Sequence, residues 1–156
     1  MLKYYTPEIK QAIASSLNYQ DILVIAMDIL KKMRNYHAPK PIVQICGPIS
    51  TGGRGSREEN LRVFSRVIER VKANGFIVFD QMPFEDDVIR IYTADPSLRG
   101  LALLEQFYEP IFRSGFIDML MFAASSKDSF GANWEREKAK LLYIPFIDLA
   151  DSYSAD

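Results

Sequence analysis

One cysteine and one histidine stand in 156 residues. Cys46 alone cannot build a disulfide framework, and such sparing use suits a reducing compartment; a cytoplasmic setting is expected. The same shortage leaves no Cys/His cluster, so no metal is expected. A Ser-His-Asp or Cys-His mechanism would have to recruit His37, which falls in an N-terminal extension. Charge of one sign is also missing: 19 Lys and Arg face 20 Asp and Glu, for a formal net charge of −1. That balance carries no electrostatic footprint for nucleic acid or for an acidic membrane. No apolar run approaches the roughly 18 residues of a membrane span, and "MLKYYTPEIK" lacks the apolar core of a signal peptide. Acid–base chemistry, if the chain performs any, therefore falls to carboxylates or tyrosines.

What is present reads as an ordinary globular chain, 48% hydrophobic and 25% charged. Two helices are expected over 7–17 and 20–36. Thr6-Pro7-Glu8 supplies a cap, a proline at the first helical position and an acid, and "DILVIAMDILKKMRNY" spaces apolar residues for one helical face. "HAPKP" ends that helix and acts as a linker. From residue 41 short apolar runs alternate with helical segments: "PIVQIC", "FIVFD", "FIDMLMFAA" and "IPFI" read as strands. Between them lie "SREENLRVFSRVIERVKANG", "LALLEQFYEPIFRSG" (interrupted near Pro110) and "ANWEREKAKLL" as helices, and 81–100 as a long stretch with at most a short helical piece. Alternation of this kind predicts an α/β fold: a flavodoxin-like parallel sheet of about four strands with flanking helices and an N-terminal helical extension. The expected division is 1–40 for the extension and 41–156 for the α/β domain.

Four of the eight glycines, Gly47, Gly52, Gly53 and Gly55, fall within nine residues of "QICGPISTGGRGSREEN". The loop follows the first strand, so it lies at the carboxyl edge of the sheet, where parallel sheets bind ligands. Glycines let backbone N–H groups approach an anion, and the next helix contributes its dipole. Ser50, Thr51 and Ser56 can donate hydrogen bonds and Arg54 can grip a phosphate; a turn ending in an ordinary cap is the plainer alternative. Gly53-Arg54 stands where a P-loop needs Lys-Ser/Thr, and no G-x-G-x-x-G occurs. Ser56 and Glu59 are spaced as a capping box. Asp80, ending the second strand, can hold a ribose hydroxyl or simply end the strand.

The second motif is "SFGANWEREKAK". Glu135 is expected about three residues into a helix on the same sheet edge, where the helix dipole favours its ionised form and suits a nucleophile. Acids at that place also occur for stability alone.

"CGPISTGGRGSREEN" and "SFGANWEREKA", in this order after the first and third strands, resemble the nucleoside 2-deoxyribosyltransferase superfamily, which includes the 2′-deoxynucleoside 5′-monophosphate N-glycosidases. The resemblance covers about 42–147. It implies that Glu135, with Gly131 four residues before it, attacks the anomeric carbon. It implies that Ser129 stands where monophosphate hydrolases have Ser and a deoxyribosyltransferase has Asp. For the acid that manages the proton on the base, the nearest candidate is Glu109, with Asp118 at the strand itself. Gly47, Ser50, Gly52, Gly53, Arg54 and Ser56 would hold the substrate. Two carboxyl groups suffice for the analogous O-glycoside chemistry, so no cofactor is expected. Phe84, Tyr92 or Trp134 can stack on a base or simply pack. The partners implied are a small nucleotide or nucleoside and a second copy of the chain. A homodimer also gives the apolar helix 20–36 a surface to bury. Two other functions stay open: a nucleotide-binding module without turnover, and a glycohydrolase of NAD-like dinucleotides, suggested by Asp80.

Overall fold

The computed structural model describes residues 3–50 and 53–156. Its main elements in chain order are α1 (Pro7–Ala14), α2 (Tyr19–His37), β1 (Ile42–Cys46), α3 (Arg57–Ala73), β2 (Ile77–Val78) and α4 (Glu85–Ala94). After them come α5 (Leu101–Leu103), α6 (Glu109–Arg113), β3 (Met119–Phe122), α7 (Phe130–Leu142) and β4 (Phe146–Asp148).

The chain divides into two compact units; the break at residues 39 and 40 lies at the expected boundary, whereas 81–116, expected within the α/β domain, groups with the N-terminal helices. The first unit joins 1–39 to 81–116; the second joins 40–80 to 117–156. The N-terminal helices are thus not an appendage. They share a unit with the long connection between β2 and β3.

In the first unit, local signals set the helices. The Thr6 hydroxyl accepts from Ile9 N–H (3.2 Å) to start α1, and the Asn18 side chain accepts from Asp21 N–H (2.9 Å) to start α2. The apolar face of α2 buries Ile22, Ala26, Ile29, Leu30 and Met33 within the protein. Helix α2 packs on α6 and on the π-helical turn Leu104–Tyr108. Burying a side chain the size of Ile, Leu or Met contributes about 1.5–3 kcal/mol. That face is consequently covered by the chain itself and is not the dimer surface the sequence suggested. Cross-links fix the pairing: Tyr19 OH donates to Leu98 O (2.7 Å) and Arg34 donates to Phe116 O (2.8 Å). The stretch 81–100 holds more structure than expected, with α4 set between two 3-10 turns. The interruption near Pro110 takes the form of the π-helical turn just before α6.

In the second unit, four strands form one all-parallel sheet in the order β2-β1-β3-β4. Val43 pairs with Met119 and Cys46 with Phe122. Every residue of β1 is buried, as a central parallel strand requires. The sheet order reverses between β1 and β3, since β1 leads outward to β2 while β3 leads the other way to β4. Residues of α3 at helical spacing, Asn60, Phe64, Val67, Ile68 and Val71, make its buried stripe. Among the described residues no helix is long and apolar enough to cross a membrane.

Candidate functional site

At the carboxyl ends of β1 and β3, where the sheet order reverses, the second unit holds a cleft of about 210 Å³. Parallel sheets receive ligands at this position. The loop after β1 contributes Pro48, Gly53 and Arg54; α3 contributes Asn60 and Phe64. The loop after β3 contributes Ala123 to Ser125, and a 3-10 turn near residue 153 contributes Asp151, Ser154 and Ala155.

Asn60 shapes the glycine loop. Its Oδ1 accepts from Arg54 N–H (2.8 Å) and its Nδ2 donates to Ile49 O (2.9 Å), so one buried amide ties two points of the loop to α3. Gly53 has φ +64, and a Cβ there would come within 2.4 Å of Asn60 Oδ1 and 2.7 Å of Pro48 Cβ. Only glycine fits that backbone against that clamp. Sequence reasoning missed Asn60, although a signal existed: it is a polar residue on the same helical stripe as Phe64, Val67 and Val71. Across the cleft's inventory, Ser125 adopts a left-handed backbone (φ 64), strain of the order of 1–3 kcal/mol that tends to gather at functional sites.

The loop candidates separate into groups. Gly53 and Arg54 line the cleft, and Arg54 is exposed. Gly47 is buried under the Phe64 ring and beside Ala123, where an added Cβ would lie 3.1 Å from Ala123 Cβ. Ser50 is exposed and does not line the cleft. Thr51 and Gly52 lie outside the described residues. The Ser56 hydroxyl caps α3 by accepting from Glu59 N–H (3.2 Å). The expected reciprocal half of that capping box does not form, because Glu59 pairs with Arg62 (3.0 Å), which holds its carboxyl below the usual range.

Glu135 stands at the sheet edge foreseen for it, but deeper in its helix. Ser129 accepts from Ala132 N–H (3.2 Å) and starts α7 at Phe130. Glu135 is thereby the sixth helical residue rather than about the third. The helix dipole acts mainly on the first turn, so it does less for Glu135 than the sequence suggested. Glu135 is only 7% exposed and meets the Cys46 thiol at the end of β1. Burial, then the Glu135 charge, push the Cys46 thiol well above its usual range. Ser129 is buried, and Gly131 is half-buried in the first turn of α7. Glu135, Ser129 and Gly131 are not among the residues lining the cleft.

Arg136, the next residue, was not singled out in the sequence. Its guanidinium lies 4.1 Å from the Phe122 ring centroid, pairs with Asp148 (2.7 Å) and donates to Ser126 Oγ (3.3 Å). It thereby joins the ends of β3 and β4 to the loop between Ser125 and Ser129, and holds the Asp148 carboxyl below its usual range.

The remaining candidates do not line the cleft. Asp118 Oδ2 accepts from Ile42 N–H (2.7 Å), at the amino end of β1 and away from the glycine loop. Glu109, in the first unit, pairs with Arg113 (2.9 Å) one helical turn on. Asp80 pairs with Lys72 of α3 (3.3 Å), which accounts for an acid at that strand end. Phe84 is fully buried between Tyr5 and Phe107, at centroid distances of 6.0 and 5.5 Å, and has no open face for a base. Arg99 lies 5.5 Å from the Tyr92 ring centroid, and Lys138 5.2 Å from that of Trp134. His37, at the end of α2, bonds Tyr4 OH (2.8 Å). Among the described residues no cluster of His, Cys, Asp and Glu could hold a metal ion.

The all-parallel sheet, its flanking helices and the cleft at the reversal point make this a flavodoxin-like α/β protein. The chain matches no protein-family model, and no curated protein or solved structure matches it significantly.

Proposed function

We propose that the chain binds a (deoxy)nucleoside 5′-monophosphate at the carboxyl edge of β1 and β3 and cleaves or transfers its N-glycosidic bond. In this reading a Glu135 carboxylate oxygen attacks the anomeric carbon. The C–N bond breaks, and the base leaves with the bonding pair and takes up a proton from water. Water or a second base then displaces Glu135 from the sugar. Covalent catalysis of this form needs only carboxyl groups.

The observation that carries the reading is the placement of a buried carboxylate beside Cys46, two residues before the cleft-lining Pro48. Arg54, in the same cleft, is a suitable phosphate grip. The cleft is smaller than the roughly 300–1,000 Å³ of ligand pockets in general. It suits a sugar phosphate, with the base projecting beyond. The homodimer implied by the family resemblance belongs to the same proposal. It would draw on apolar surface other than the covered face of α2, such as Leu141 and Tyr143, which are 70% and 92% exposed. A cytoplasmic setting is proposed from the lone cysteine.

A second reading, a nucleotide-binding module without turnover, is favoured by one observation: Glu135 is buried and does not line the cleft. The two are separated by incubating the protein with nucleosides, their 5′-monophosphates and NAD and assaying free base by chromatography. Base release from monophosphates is expected, with Glu135→Gln abolishing it and changing affinity by no more than a few-fold. Near wild-type turnover in that variant would overturn the assignment. Binding without release in the wild type would establish the second reading instead.

A further inference from the structure

The segment after β4 is bound to the second unit in an unusual way. Three arginines spaced one turn apart on α3 hold it, mostly by its backbone. Arg70 donates to the carbonyls of Ser152 (2.8 Å), Tyr153 (3.0 Å) and Ala155 (2.6 Å). Arg66 donates to Ser154 O (3.2 Å) and pairs with Asp156 (3.0 Å), and Arg62 lies 3.6 Å from the same carboxylate. Asn74 donates to the Tyr153 hydroxyl (2.6 Å). Carbonyl contacts of this kind fix where a segment lies without using its side chains, so Asp151 and Ser154 are positioned at the cleft while their side chains take no part in holding it.

Ser154 is the telling residue. It lines the cleft, it is 8% exposed, and its hydroxyl is buried without a hydrogen-bond partner among the described residues. A buried hydroxyl left unpaired costs free energy that a polar bystander would not incur. The cost is recovered when a ligand atom supplies the partner. The same cleft is lined by Arg54, a residue with a donor side chain, and by Asp151, one with an acceptor side chain. Donors of this kind match a phosphate, and an acceptor matches a sugar hydroxyl. A carboxylate in the cleft also disfavours a bare anion, so the set selects a ligand carrying both groups.

We infer that the segment Asp151–Ala155 forms the sugar-phosphate subsite of the cleft, with Ser154 Oγ donating a hydrogen bond to the phosphate. The inference rests on the reading of the cleft as a sugar-phosphate site and goes further, because it assigns specificity to a segment outside both sequence motifs.

The test uses the full chain, with 2-deoxyribose 5-phosphate and 2-deoxyribose as probes and calorimetry as the readout; neither probe requires turnover. The wild type is expected to bind the phosphate and not the free sugar. Ser154→Ala is expected to weaken phosphate binding by about tenfold to a hundredfold, the range for a hydrogen bond to a charged group. Its melting temperature without ligand should equal or exceed that of the wild type, since an unpaired buried hydroxyl has been removed. A purely structural serine would give the opposite pair of results. Wild-type affinity in Ser154→Ala, or a clear loss of melting temperature, overturns the inference and leaves the cleft reading intact. Failure of the wild type to prefer the phosphate over the sugar removes the cleft reading itself, and this inference with it.

Discussion

Replacing Gly53 with alanine adds one methyl group, and the surroundings set its cost. The backbone at Gly53 has φ +64, a left-handed conformation that costs an L-residue about 1–2 kcal/mol. The new Cβ would also stand 2.4 Å from Asn60 Oδ1 and 2.7 Å from Pro48 Cβ. Neither neighbour yields easily, because Asn60 is buried with both ends of its amide bonded, and Pro48 is buried and rigid. Forcing a methyl into such packing costs a further 1–3 kcal/mol or so. Gly55 is the internal control: its φ is +88, yet nothing among the described residues lies within 4 Å of its Cβ position. Gly55→Ala should therefore incur only the backbone cost, and Gly53→Ala about 2–5 kcal/mol in total. Urea unfolding followed by the fluorescence of Trp134 measures both. The difference between the variants isolates the steric part. If Gly53→Ala were no more destabilising than Gly55→Ala, the account of Asn60 as a rigid clamp on the loop would be refuted.

Two further expectations concern the groups outside the cleft. Burial raises the Tyr19 phenol to about 12, whereas in the unfolded chain it ionises near 10. Between about pH 10 and about pH 12 the unfolded state binds fewer protons, so this group's contribution to stability falls as pH rises through that window. Tyr19→Phe should lower stability at neutral pH, through loss of the bond to Leu98 O, and flatten the alkaline decline in thermal melts; an unchanged decline would show that other groups cause it. Asp118→Ala removes the acceptor of Ile42 N–H and should cost about 1.5–3 kcal/mol in urea unfolding. It should leave ligand binding unchanged, and loss of binding without loss of stability would return Asp118 to the site.

Much of the secondary structure was legible because its causes are local. Thr6, Asn18, Ser56 and Ser129 each bond a backbone N–H three residues on, and such caps act wherever the chain is placed. Apolar runs separated by helical segments made the parallel sheet legible too, since the strands of parallel sheets covered by helices read as short, mostly apolar runs. The glycine loop and Arg54 were legible for a related reason: a cluster of glycines implies backbone conformations and close approaches that other residues do not permit.

The remainder was decided by packing between segments far apart in sequence. The apolar face of α2 marked a surface to be buried, and nothing in its spacing said that α6 and the π-helical turn before it would do so. Phe84 suited a base, or more often a core, until Tyr5 and Phe107 closed on it from distant parts of the chain. Asp118 and Asp80 carried no local sign of the partners that occupy them, Ile42 N–H and Lys72. Whether Ser154 forms part of the cleft depends on Arg66 and Arg70 of α3, more than 80 residues away in sequence, meeting the backbone of its segment. Caps, turns and periodicity are properties of neighbouring residues and can be read along the chain. The partner of a buried side chain is set by which surfaces the fold brings together, and that was settled only in the tertiary structure.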